Sequence, residues 1–199
     1  MEFNKIYLGD CRELIGHIPH GIAPIIVTDP PFNIGYSYNS YKDDMDENEY
    51  WHMIKALIDK CNGNAVVIHY PEALHRLSIE LGTIPKRVLS WCYNSNTKRQ
   101  HRDIAFYGIE PNMAQVVQPY KNPQDKRIAE RIERGIAGGL ILDPFAGSGT
   151  TCAVAKRLGY GYLGFEINPK WHKVACDRLN GITKKEAEMG LVQQSLFDF

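Results

Sequence analysis

The chain has 199 residues, 44% of them hydrophobic and 23% charged, and its 23 basic and 23 acidic side chains balance to zero net charge. These values exclude a mainly disordered chain and a uniformly basic nucleic-acid coat. The length fits one ordinary domain with a full core.

Short apolar runs alternate with amphipathic stretches, the pattern of an α/β domain built on a parallel sheet. In chain order the pattern predicts strands over 5–8 and 22–28 and a long Tyr- and Asn-rich connection over 33–48. A helix over 48–60, a strand over 65–70 and a helix over 71–81 follow. Two strands over 87–93 and 103–107 lead into a second long connection over 108–122 and a helix over 123–135. The chain closes with a strand over 140–142, a helix over 150–158, a strand over 161–165 and a helix over 169–179. Asn168-Pro169 opens that last helix, with a capping side chain followed by proline in the first turn. No internal repeat is present.

The five cysteines, Cys11, Cys61, Cys92, Cys152 and Cys176, are odd in number and form no CxxC pair. Reduced thiols are expected, and no metal site. No apolar run reaches membrane-span length. The opening MEFNKIYLGD lacks a secretory apolar core, so a cytoplasmic protein is expected. Charge is uneven along the chain: Lys86 to Arg134 carries ten basic and five acidic residues. Such a region either docks a phosphate backbone or forms an ordinary solvated face.

The first chemical constellation is Asp29-Pro30-Pro31-Phe32, directly after the apolar run Ile25-Ile26-Val27-Thr28. Ligands of open parallel sheets bind outside the carboxyl ends of the strands. Two prolines stiffen the rim and remove two backbone donors, leaving carbonyls as the polar feature. A carboxylate beside a bare carbonyl suits an exocyclic amine, which has two N–H donors. The Asp29 carboxylate and the Pro30 carbonyl can accept both and so localise the nitrogen lone pair. Phe32 offers a stacking face for a base flipped out of its duplex. The alternative is a Pro-Pro turn with Phe32 in the core.

The second constellation is Asp143-Pro144-Phe145-Ala146-Gly147-Ser148-Gly149-Thr150-Thr151, between a strand and a helix. Its glycines permit close backbone approach, and the helix amino end favours a polar or anionic group. Asp143 at the strand tip suits a cation or ammonium. The P-loop lysine and the dinucleotide spacing are both absent. Glu166 ends the next strand, about where an acid bonds ribose hydroxyls. Asp10 follows the first strand through Gly9, and either accepts from an adenine amine or caps a helix.

DPPF and DPFAGSGTT together resemble the S-adenosylmethionine-dependent DNA amino-methyltransferases, over nearly the whole chain. The catalytic motif precedes the cofactor motif, the permuted order of the β class of adenine-N6 and cytosine-N4 enzymes. The resemblance implies a Rossmann-like class I methyltransferase: a mostly parallel seven-stranded sheet in spatial order 1-7-6-2-3-5-4, its fifth strand antiparallel. It implies catalysis by Asp29, Pro30, Pro31 and Phe32. Asp143 and Phe145, Ala146, Gly147, Ser148, Gly149 and Thr150 would cradle the methionine part of S-adenosylmethionine. Glu166 would take the ribose and Asp10 the adenine, with Asp29 facing the cofactor as well as the base. Pro123-Gln124-Asp125-Lys126 resembles the family's T-Q-K-P motif, and the segment from Trp91 to Lys98 its pocket-lining W-x-K segment. A leading Asp is typical of adenine-N6 members, so adenine in double-stranded DNA is the expected target. Cytosine-N4, RNA methylation and a non-catalytic DNA-binding module are the alternatives.

One catalytic domain over 1–190 and a tail over 191–199 are expected. The family usually inserts a target-recognition region between its two motifs. Here only 33–48 and 95–122 are available, with Asn33, Tyr36, Tyr38, Lys98, Arg99 and Arg102 as the DNA contacts. A short recognition sequence, or a homodimer that shares the duplex, is therefore expected. Gln193, Leu196 and Phe197 resemble the pentapeptide that docks on bacterial replication sliding clamps; the alternative is a tail packed on its own domain. A bacterial, phage or prophage origin is expected.

Overall fold

The computed structural model describes residues 1–19, 22, 24–35, 37, 38, 41–92, 101–111 and 139–181. The expected helix over 123–135 and the clamp-like tail lie outside these residues. Seven strands make one sheet: β1 (Lys5–Leu8), β2 (Ile25–Thr28), β3 (Ala65–His69), β4 (Arg87–Cys92), β5 (His101–Tyr107), β6 (Leu140–Asp143) and β7 (Gly161–Glu166). Their spatial order is β1-β7-β6-β2-β3-β5-β4. β5 runs antiparallel to both β3 and β4, while the remaining pairs are parallel. The expected order and the reversed fifth strand are both observed.

Element boundaries follow local chemistry. β2 begins at Ile25, three residues later than expected, because Pro24 has no N–H to give to a ladder. Tyr70 is not the end of β3 but the residue that precedes α3 (Pro71–Leu81), whose first position is the proline. α2 (Glu47–Lys60) starts where the Asp46 carboxylate accepts from the Asn48 and Glu49 N–H groups. The connection over 33–48, read as aperiodic, contains a two-stranded antiparallel ribbon, Ser37–Tyr38 with Tyr41–Lys42. The short α1 (Cys11–Leu14) escaped the sequence reading, since four residues carry no period. α4 (Thr150–Arg157) and α5 (Pro169–Leu179) stand where predicted.

Alternation along β7 divides the core in two. Leu163 and Phe165 join a large apolar cluster with α1, α2 and α3, which includes Trp51, Ile54, Leu57, Ile58, Leu74 and Leu77. Tyr162 faces the other way, into a smaller cluster with Ile6, Cys152, Ala155 and Ala175 beneath α4 and α5. Successive residues of a strand point to opposite faces, so helices cover both sides of the sheet. No helix among the described residues is long and apolar enough to cross a membrane.

Gly149 shows how tightly the smaller layer closes. Its φ is +76°, and an added Cβ would stand 2.8 Å from the Ala175 Cβ. Gly149→Ala therefore combines left-handed strain with overpacking, and should cost about 1–3 kcal/mol of stability. Urea unfolding of the variant beside the parent protein checks this.

Candidate active site at the carboxyl edge of the sheet

Parallel strands end on one edge, and that edge collects the motifs. β1 runs into Gly9 and Asp10, β7 ends at Glu166, β6 at Asp143 and β2 at Thr28, one residue before Asp29. The register aligns Leu8 with Glu166, Asp143 with Gly164 and Ile26 with Leu142. A single cavity of about 440 Å³ opens there. Asp10, Asp29, Pro31, Phe145, Gly147, Ser148 and Glu166 all line it, with Met45, Met53, Ile167 and Trp171 supplying apolar surface. Residues of both sequence motifs thus share one space, whose volume suits a nucleoside-sized ligand.

Glu166 is buried and holds the glycine-rich turn. One carboxylate oxygen accepts from the Gly147 N–H at 2.7 Å and the other from the Asn168 N–H at 2.7 Å. Each oxygen keeps a second lone pair for a ligand hydroxyl. Of the two alternatives for Asp10, the helix cap is observed. It caps α1 by accepting from the Arg12 N–H at 2.8 Å, and it lines the cavity. The hydrogen-bonded Arg12 guanidinium holds its carboxyl below the usual range.

Asp143 does not line the cavity. It is 4% exposed and accepts from the Thr28 hydroxyl at 2.9 Å and the Phe145 N–H at 3.2 Å, with Thr151 as a further donor. Its place is that of a brace between β2 and the glycine-rich turn. Burial pushes its pKa up to about 6 against those hydrogen bonds. Within the turn, Gly147 and Ser148 reach the cavity, whereas Ala146 is buried against the place a Gly164 side chain would take. Gly149 packs on α5, and the Thr150 hydroxyl accepts from Arg178 at 3.2 Å.

The Asp29 motif is held from behind by residues that sequence reasoning missed. Tyr50 of α2, 1% exposed, donates its hydroxyl to the Pro31 carbonyl at 2.7 Å. His69 at the end of β3 accepts the Tyr70 N–H at Nδ1, so its ring proton sits on Nε2, which faces the Tyr50 oxygen at 3.3 Å. The Pro31 carbonyl is thereby occupied, while among the described residues nothing donates to the Pro30 carbonyl. Phe32 packs against the His69 and Tyr70 rings at 4.8 and 4.9 Å. The following loop is pinned by the fully buried Asp43, which accepts from the Asn33 and Ile34 N–H groups at 2.8 and 3.2 Å. No sequence period marks Tyr50, His69 or Asp43 for these tasks; only the tertiary pairing does.

The expected DNA contacts are divided. Tyr36, Lys98 and Arg99 lie outside the described residues, and Tyr38 is on the two-stranded ribbon. Asn33 adopts φ +52° and donates its amide to the Met45 carbonyl at 2.8 Å, inside its own loop. Arg102 contacts the catalytic motif: Nη1 donates to Asp29 Oδ2 at 3.1 Å, and Cζ lies 4.4 Å from the Phe32 ring centroid. Burial lifts the Asp29 carboxyl above its ordinary value, and the Arg102 cation opposes that shift.

A seven-stranded sheet in this order, with a glycine-rich turn after one strand and an acid closing the next, defines a class I methyltransferase fold. The profile of the DNA methylase family, covering N6 and N4 enzymes, matches residues 68–177. The chain belongs to that family, and it is a DNA methyltransferase. It is 22% identical to the DNA adenine methyltransferase YhdJ of Escherichia coli K12, over 94% of this chain and 86% of that one. The crystal structure of the complex of M1.HpyAVI with S-adenosylmethionine superposes with a TM-score of 0.60 at 18% identity, covering 88% of this chain and 99% of the other. The cytosine-N4-specific PvuII DNA methyltransferase gives 0.59 at 19% identity, covering 92% and 89%.

The Asp143 brace has a pH signature. Folding raises its pKa from 3.8 to about 6, so the folded state holds the proton more tightly than the unfolded chain. Its stabilising contribution is complete below 3.8 and is lost as pH rises through about 6. Asp143→Asn should flatten that part of the curve, as urea unfolding of both proteins from about pH 4 to about pH 7 will show.

Proposed function

We propose that this protein transfers a methyl group from S-adenosylmethionine to the N6 amine of adenine in double-stranded DNA. The observation that carries the reading is the shared cavity: Asp29 and Pro31 line the same space as Gly147, Ser148 and Glu166. The donor residues suit that cofactor. The glycine-rich turn presents backbone and the Ser148 hydroxyl, Glu166 and Asp10 present acceptors toward a nucleoside, and Trp171 and Ile167 flank them with apolar surface. When bound, S-adenosylmethionine supplies a methyl group on a sulfonium.

The chain's own part is positioning and electrostatics. The Asp29 carboxylate accepts one N–H of the flipped amine and the Pro30 carbonyl the other. Held so, the nitrogen keeps its lone pair out of the ring and aimed into the cavity. Tyr50 and His69 fix the rim by holding the neighbouring Pro31 carbonyl. Asp29 need not be a strong base, because the amine becomes acidic once methylated.

Adenine is favoured over cytosine by the Asp that leads the DPPF motif and by the likeness to YhdJ. Glu166, Asp10, Ser148 and Gly147 are the proposed cofactor residues, Asp143 contributing as their brace. A duplex substrate agrees with the family.

Tritiated S-adenosylmethionine with unmethylated plasmid DNA, RNA and free nucleosides tests the reading. Label should enter duplex DNA and, after hydrolysis, run with N6-methyladenine; label in N4-methylcytosine would overturn the base assignment. Asp29→Ala should cut kcat by about 10²–10³-fold. Equilibrium dialysis should show its cofactor affinity nearly unchanged.

A further inference from the structure

Arg102 lies near the start of β5. Because β5 runs against its neighbours, its amino end arrives at the edge where β2 and β3 finish. The pairing of His69 with Asp103 sets Arg102 beside Tyr70, with Cζ 5.9 Å from that ring. There the guanidinium gives an N–H to Asp29 and lies over the face of Phe32. These are the two contacts that an amine-bearing base asks of this motif. The likeness is chemical: a guanidinium is planar, with N–H donors in its plane and a face that stacks on aromatic rings.

The alternative of a freely waving surface cation does not fit. The Arg102 side chain is 26% exposed, against 44% for Asp29. Phe32 is packed against His69 and Tyr70, and the guanidinium lies over the remaining side of its ring. A base that stacks on Phe32 and bonds Asp29 claims the space that Arg102 fills.

We infer that Arg102 is a stand-in for the target base: in the free enzyme it occupies the base position against Asp29 and Phe32, and an incoming nucleobase displaces it. This rests on Asp29 being the amine acceptor, as under the proposed function, and holds for either amino-bearing base. The displaced cation is released at the mouth of the base position. The phosphates of an extruded nucleotide pass there, and a cation is useful to them. An exocyclic amine replaces the N–H that Asp29 loses and offers a second N–H to the Pro30 carbonyl, a pair that the single N3–H of thymine does not supply, so displacement favours amino-bearing bases.

The test refills the emptied position. Arg102→Ala is assayed with tritiated S-adenosylmethionine on unmethylated plasmid DNA, with and without tens of millimolar ethylguanidinium, ionic strength being matched with sodium chloride. Cofactor binding reports folding, and Arg102→Ser is the second variant should Ala fail it. Ethylguanidinium should raise the variant's KM for DNA roughly threefold at constant kcat, as a competitor does at about twice its dissociation constant. The parent protein, already filled by Arg102, should not respond. Rescue of a lost kcat by ethylguanidinium would overturn the inference, because the guanidinium would then be needed in the reaction. An equal response of variant and parent, or none in either, would overturn it too. Failure of the parent protein to label any DNA is a separate result: it refutes the methylation reading, and the inference with it.

Discussion

The buried hydrogen bond from Thr28 to Asp143 joins two motifs that stand 115 residues apart in the chain. It lies between β2 and β6, which pair in parallel with Ile26 opposite Leu142. On one side of it the chain continues into Asp29 and the prolines; on the other it turns through Phe145 toward Gly147. A carboxylate removed from water is costly unless donors meet it. Here Thr28, Thr151 and the Phe145 N–H do so, and each fixes a different piece of the site. The relation between the Asp29 rim and the glycine-rich turn is therefore set by the core and not by flexible loops.

Sheet topology supplies the remaining groups without further invention. The catalytic motif comes early in the chain, so the first strand is left to pair with the last. Leu8 then stands beside Glu166, and Asp10 and Glu166 enter the same cavity. The reversed β5 contributes differently. A parallel strand would have presented its carboxyl end, Tyr107, at this edge. The reversal presents His101 and Arg102 instead, which places a cation next to Asp29. One departure from parallel pairing thus sets a second cation, besides Arg12, among the acids at this edge.

Much of this was legible in the sequence. Proline and glycine punctuation, together with apolar runs such as that ending at Thr28, was enough for the seven strands and for α2 to α5, while the order of the strands came from the family resemblance. DPPF and DPFAGSG were enough for the two halves of the site. What was not legible depends on direction. Asp143 was read as a ligand because it ends a strand, yet its carboxylate turns inward to Thr28, and no local pattern reveals which way a strand-end side chain points. Tyr50 and His69 resemble ordinary core aromatics until α2 and β3 pack beside Pro31. Arg102 was read as a DNA contact from the basic segment it lies in. Charge density says that a cation is present but not what it touches.

The electrostatics of Asp29 connect these observations. Burial raises its pKa, and the Arg102 cation works against that rise. In the free enzyme the guanidinium thus offsets part of the cost of burying this carboxyl group. Once a base takes the place of the guanidinium, the cation moves away while the desolvation stays. The carboxylate then binds a proton more readily than before. That change precedes the proposed methyl transfer, after which the amine is acidic and must lose a proton. Under the proposed function, exchange of a permanent cation for a neutral base turns Asp29 from an ion-pair partner into a proton acceptor. Behind it, Tyr50 and His69 hold the proline rim.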